Sequence, residues 1–148
     1  MFELLIFIYL VLTFMAFSFV EVANYKDFGS KKRNRKIWEK QSQASSQYHK
    51  ALWYLFFPLV AVMPAFIFFL LTKQAYQTFK LLFLCFSAYC IGGTLEDRFF
   101  FIVAKMKFCP KTVFWFKKWF KILWFEVPTF YVYSILTGIV LLAIYFIL

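Results

Sequence analysis

The sequence has few of the residues from which common soluble sites and scaffolds are built. It contains three Cys, one His and four Gly in 148 residues, too few for a disulfide framework, a zinc ribbon or a glycine-rich phosphate loop. A single histidine also excludes a bis-histidine haem within one chain, and the Glu-x-x-His motif of di-iron bundles is missing. The sequence therefore carries no haem or zinc motif, and it leaves any cofactor unknown.

Apolar residues are abundant instead. The chain is 64% hydrophobic and 26% aromatic, with 24 Phe, whereas soluble domains are about 45–50% apolar. A domain of this size cannot hide so much apolar surface, because small domains bury a smaller fraction of their surface on folding. The composition excludes a soluble monomer and predicts a polytopic membrane protein.

Four apolar runs reach the length of about 20 residues that a membrane-spanning helix needs. Each run is continuous, without the alternation of a barrel strand, so we predict an all-α membrane protein with four transmembrane helices in a compact bundle. The first run is longer than the apolar region of a signal peptide and precedes its basic residues, which favours an uncleaved span. The predicted spans of this single domain are 2–22, 52–72, 79–98 and 127–148, joined by a basic inner loop 23–51, an outer loop 73–78 and an inner amphipathic segment 99–126.

The basic residues predict the orientation of the spans. Fifteen of the 17 lie in or beside the two long connecting segments, and only Lys73 and Lys80 lie elsewhere. By the positive-inside rule both long segments face the cytoplasm or the mitochondrial matrix, and both termini lie outside. The prediction is an integral protein of a bacterial or mitochondrial inner membrane.

Pairs of small residues four apart predict where the helices meet, because they let helix backbones approach in lipid. The second span also holds two prolines, which we expect to bend it because proline removes a helix hydrogen bond. The pairs are Ala61 with Ala65, Ala88 with Gly92 and Ser134 with Gly138, and the prolines are Pro58 and Pro64.

The stretch KTVFWFKKWFKILWF, residues 111–125, predicts an amphipathic helix in the membrane plane. Its lysines fall in one sector of a helical projection and its rings on the opposite side. The alternative is that the aromatic side docks on a partner subunit. The basic run of residues 31–36 favours anionic lipids over nucleic acid. The predicted headgroup-binding residues are Lys111, Lys117, Lys118, Lys121, Trp115 and Trp119.

Ionisable residues at the ends of spans are the candidates for chemistry, because charge near the bilayer is costly and is kept for function. Five of them share the inner ends of the predicted spans, so a compact bundle would bring several together. They suit metal ligation, proton relay or acid–base chemistry on a lipid headgroup; the alternative is ion pairing with nearby basic residues such as Arg98 and Lys105. The candidates are Glu96, Asp97, His49, Glu126 and Glu21.

Three functions fit these patterns. We favour a small non-catalytic accessory subunit of a larger membrane complex, because no catalytic motif is present and little of the chain lies outside the predicted membrane. The second is a membrane-embedded enzyme or ligand-binding protein that uses the inner acidic residues. The third is a homo-oligomeric pore or membrane-disrupting effector. The predicted partners are the lipid bilayer and either other membrane subunits or further copies of the chain.

Overall fold

The computed structural model describes residues 2–29, 51–103, 118–122 and 125–148, and most of them are helical. Four of its helices are long and apolar enough to cross a membrane, which confirms that part of the prediction. The candidates His49, Lys111, Trp115 and Lys117 lie outside the described residues. The helices are α1 (Phe2–Gly29), α2 (Phe57–Thr72), α3 (Ala75–Val103) and α4 (Thr129–Ile147), with a short π-helix (Leu52–Phe56) leading into α2.

Helix α3 is the centre of the fold, and α1, α2 and α4 all pack against it. Contacts between the helices show that α1 runs in the same direction as α3, whereas α2 and α4 run in the opposite direction. We call the end that holds Glu21, Glu96 and Tyr131 the loop end. The terminal end holds Glu3 and Tyr145, which line a shared cavity of about 100 Å³ there.

Helix α1 meets α3 through a regular stripe of side chains. Every fourth residue is buried, as expected when one face of a helix packs on a neighbour. Aromatic rings extend this interface to α2, since Phe14 packs edge-on against Phe57 with ring centroids 5.2 Å apart. The buried stripe is Ile6, Leu10, Phe14, Ser18 and Val22.

The small residues lie at helix interfaces, as the sequence predicts. Ala61, Ala65 and Ala88 are fully buried. A Cβ atom added to Gly92 would lie 2.7 Å from Cδ2 of Phe14, and one added to Gly138 would lie 2.7 Å from Cγ1 of Ile91. These distances are too short for a side chain, so the two glycines set how closely the helices approach.

The two prolines of the second span differ in their effects. Pro58 is near the start of α2, directly after the π-helix Leu52–Phe56. Proline cannot donate a hydrogen bond to the carbonyl four residues back, and a wider π turn accommodates the missing bond. Pro64 lies inside α2, which continues as an α-helix through it.

Several helix ends differ from the ends of the predicted spans, and α3 differs at both of its ends. Helix α3 begins at Ala75 rather than 79 and continues to Val103 rather than 98, so only Lys73 and Gln74 separate α2 from α3. At 1.5 Å per residue, α3 is about 43 Å long, which exceeds a hydrocarbon core of about 30 Å. The polar residues at both ends of α3 can therefore remain helical at the level of the lipid headgroups. A prediction from apolar length alone misses these end residues because it counts only the apolar run.

The prediction of a helix is wrong for the last part of the amphipathic segment. The strands β1 (Trp119–Ile122) and β2 (Phe125–Pro128) form an antiparallel pair. Five of the eight strand residues are aromatic or β-branched, which suits a strand at least as well as a helix. The hairpin is tied to the start of α4, because the backbone N–H of Thr129 donates to the carbonyl of Lys118 at 3.0 Å.

Candidate functional site

Glu96 is the most unusual residue of the described helices, because its carboxyl group has no exposure to solvent or lipid. It lies at the loop end of α3, where α1 packs against α3. Ser18 of α1 donates its hydroxyl to the backbone carbonyl of Glu96 at 2.8 Å, and the same hydroxyl is 3.5 Å from Oε1. The second carboxyl oxygen, Oε2, is buried and has no hydrogen-bond partner within the described part of the chain.

Two further carboxyl groups surround Glu96. Glu21 of α1 and Asp97 of α3 both lie close enough to interact with it electrostatically, and both are half-buried. We call Glu21, Glu96 and Asp97 the acidic cluster. If all three were ionised, their negative charges would repel one another, because water screens charges poorly in a partly buried site.

Helix α4 reaches the acidic cluster through Tyr131. This residue is 3% exposed, and its hydroxyl interacts most strongly with Asp97, with Glu96 and Arg98 also in range. Neighbouring residues on a helix point about 100° apart, which explains why Glu96 faces α1 while Asp97 faces α4. Three helices therefore converge at one end of the molecule around carboxyl groups.

The structure brings together three of the five residues that the sequence marks as candidates, namely Glu21, Glu96 and Asp97. Glu126 lies in β2 instead, opposite Lys121 of β1, where both side chains are exposed. Its side chain is exposed on the hairpin, whereas that of Glu96 is buried between helices. His49 lies outside the described residues.

Gly92 and Gly93 precede the cluster without breaking the helix, since α3 continues to Val103. Their observed role is close packing against neighbouring helices. A Cβ atom on Gly93 would lie 2.2 Å from the ring of Trp53. The carbonyl of Trp53 also accepts a hydrogen bond from the Tyr89 hydroxyl at 2.7 Å, so this contact holds the start of the second span against α3.

Sequence reasoning missed Ser18 and Tyr131, although both carry a detectable signal. Each is a hydroxyl-bearing residue within a span, about one helical turn from the end at which an acidic residue is predicted. In lipid such a hydroxyl needs a partner inside the protein. Their partners could not be identified without knowing which helix faces which.

Other hydroxyls of the spans, such as those of Ser87 and Ser134, bind backbone carbonyls of a neighbouring helix. Ser87 donates to the carbonyl of Gly138 at 2.7 Å, and Ser134 donates to that of Cys90 at 2.9 Å. Between the two ends, the described helices pack through apolar residues such as Leu84 and Ala88. This arrangement offers no continuous polar route through the described part of the molecule.

Within the ranges that the structure describes, no three His, Cys, Asp or Glu side chains are arranged to hold a metal ion. No protein-family model matches the chain, and no match was found among curated proteins or among solved structures.

Proposed function

We propose that this is an integral membrane protein whose working site is the acidic cluster, where Glu96 binds a positively charged species. The observation that supports the proposal is the fully buried carboxyl group of Glu96, whose Oε2 has no hydrogen bond to any residue that the structure describes. Removing a carboxylate from water costs several kcal/mol unless an opposite charge or a proton offsets it. The charged groups that act on Glu96 are the carboxyls of Glu21 and Asp97, so a bound proton or cation would supply that offset.

A proton is the species that the surroundings favour. Two carboxyl groups in contact can share one proton, and a proton needs no cavity between the packed helices. The absence of a polar route through the described helices argues for local binding rather than conduction. Tyr131 would then link the charge state of the cluster to α4 through Asp97.

Infrared spectroscopy of the full chain in nanodiscs tests this proposal. We expect the wild type to show the carboxylic-acid band of a buried group that changes between acidic and neutral pH. Glu96→Gln keeps the size and polarity of the side chain and should remove that band. Glu3→Gln is the matched control, because Glu3 is an exposed glutamate at the terminal end, and it should leave the band intact.

Added salts distinguish the two kinds of positive species. If a metal cation is the ligand, sodium, magnesium or calcium chloride should displace the proton and reduce the band. If the ligand is a proton alone, the band should be insensitive to these salts. The proposal fails if Glu96→Gln folds, as judged by its helical circular dichroism, and gives the same difference spectrum as the wild type.

An accessory role in a larger complex is the second candidate, and the outer face of α4 is a surface that a partner subunit could cover. This helix packs on α3 and β2, so most of its surface is turned away from the other helices. Its exposed side includes aromatic rings that suit a lipid or a protein neighbour equally in composition. They are Phe130, Tyr133 and Phe146.

Native mass measurement of the particle extracted in nanodiscs tests the second candidate. Stoichiometric foreign subunits would support an accessory role. A particle made only of copies of this chain would support the homo-oligomeric pore instead. A single chain without any partner would count against both and leave the acidic cluster as the candidate for function.

A further inference from the structure

The hairpin formed by β1 and β2 has two faces of different character. Residues opposite each other in an antiparallel pair share a face, and successive residues alternate between faces. Phe120 pairs with Val127, and Ile122 pairs with Phe125, so these four positions belong to one face. The other face holds the pair Trp119–Pro128 and the pair Lys121–Glu126. One face of the hairpin is therefore wholly apolar in sequence.

Burial varies along the hairpin as well as between its faces. Pro128 is buried and Trp119 is half-buried next to the start of α4, whereas Lys121 and Glu126 on the same face are exposed. On the apolar face Val127 is half-buried and Phe120 is 46% exposed. The protein's own described helices therefore leave the Phe120 ring largely uncovered, and the position of the hairpin indicates what covers it.

The hairpin is held at the level where α4 begins. Pro128 directly precedes Thr129, the first residue of a helix of 19 residues. Such a helix is about 29 Å long, close to the thickness of the hydrocarbon core. The hydrogen bond from Thr129 to Lys118 fixes the start of β1 at the same level. If α4 spans a bilayer, the hairpin lies at its surface.

Two further features favour that location. A two-stranded hairpin leaves backbone groups unpaired at its outer edges, and these cannot enter the hydrocarbon but can remain in the hydrated headgroup layer. Lys118 and Lys121 are exposed, and lysines at this depth attract anionic headgroups.

We propose that the hairpin is an interfacial anchor, with the face of Phe120 and Val127 in the acyl boundary and Lys118 and Lys121 at anionic lipid phosphates. This replaces the in-plane helix over these residues and keeps the lipid partner that its sequence suggests. It does not depend on the acidic cluster.

Spin labels on adjacent residues test the anchor in the full chain, in nanodiscs of phosphatidylcholine with phosphatidylglycerol. A label at Phe120→Cys should be several-fold more accessible to oxygen, which concentrates in acyl chains, than to a water-soluble nickel complex. The label at Lys121→Cys is the matched control and should show the reverse, because it lies on the opposite face. Both variants are made with Cys109→Ser, and this parent alone gives the background from Cys85 and Cys90.

The lysine contribution is measured with the same label at Phe120→Cys. Changing the nanodisc to phosphatidylcholine alone should lower its ratio of oxygen to nickel accessibility. Lys118→Gln combined with Lys121→Gln should abolish that dependence on lipid charge.

Three outcomes would overturn the proposal. Equal nickel access at both positions would place the hairpin in water. Shielding of position 120 from both reagents would show that protein covers the face instead of lipid. Equal oxygen access at both positions would show that the two faces do not differ. A label at Val127→Cys, which pairs with Phe120 across the two strands, should show the same oxygen and nickel accessibility as the label at position 120. This second label checks that the result does not come from a local effect of the Phe120 substitution.

Discussion

Single residues set the spacing of the helices. Gly92 is the clearest case, because α1 approaches it with both a ring and a backbone atom. A Cβ atom there would lie 2.7 Å from Cδ2 of Phe14 and 3.2 Å from Cα of Val11. The ring could turn aside, but the Val11 backbone can move only if α1 moves as a whole.

We expect Gly92→Ala to destabilise the fold by about 1–3 kcal/mol, the usual cost of overpacking. The free energy of unfolding can be measured by steric trapping in mixed micelles. Leu95→Phe is the control on the same helix, because Leu95 is 40% exposed, and it should change stability little. A neutral Gly92→Ala would mean that α1 and α3 are farther apart than described.

Ser18 is the second residue with a separable role. Its hydroxyl donates to the carbonyl of Glu96 at 2.8 Å. Hydrogen bonds between membrane helices are worth about 0.6–2 kcal/mol, so Ser18→Ala should lower the free energy of unfolding by about 1 kcal/mol. Thr137→Ala removes an exposed hydroxyl from α4 and serves as the control. Equal effects of the two substitutions would contradict a specific contact at Glu96.

At the level of elements, α3 holds the other helices through hydroxyl-to-carbonyl bonds. Ser18 joins α1 to it, Tyr89 joins the π-helix, and Ser87 and Ser134 join α4. Apolar surfaces give little preference for one helix over another in lipid, so such bonds and close backbone contacts decide the pairing. Helix α4 depends on them most because α3 is its main helical neighbour.

The double variant Ser87→Ala with Ser134→Ala should therefore loosen α4 selectively. We expect faster hydrogen exchange of the α4 backbone, because weaker packing lowers the free energy of local opening. Exchange in the stretch of α1 that faces α3 should stay the same, and it provides the internal control. Uniformly faster exchange in both helices would indicate that the molecule opens as one unit.

The whole molecule has two ends of different chemistry. The loop end carries the acidic cluster, and the two long basic segments begin there. The terminal end carries Glu3 and Lys80, with the Lys80 ammonium 5.1 Å from the centroid of the Tyr145 ring. From the positive-inside rule we predict that the loop end faces the cytoplasm or matrix.

Cysteine labelling in intact cells checks that orientation. A membrane-impermeant thiol reagent should modify Glu3→Cys from outside, because this residue is exposed at the terminal end. Lys121→Cys should react only after the membrane is permeabilised. The opposite pattern would reverse the proposed topology, and reaction of both from outside would contradict the placement of the hairpin.

The sequence determined the features that depend on composition and spacing. Apolar length alone predicts four helices, and pairs of small residues identify contact positions, because both follow from local chemistry. The sequence also marked Glu21, Glu96 and Asp97 as candidates. Their shared position at one end follows from counting spans.

Only the tertiary structure decided which groups meet. That Glu96 is fully buried while Glu126 lies on an exposed strand depends on which helices pack together. The spacing of residues along the sequence cannot reveal this, because in lipid the apolar faces of different helices offer similar packing surfaces. The hairpin is a second case, since the same alternation of lysines and rings fits a helix and a strand. Pairing with a second strand and the hydrogen bond to the start of α4 decide between them, and both contacts exist only in the folded chain.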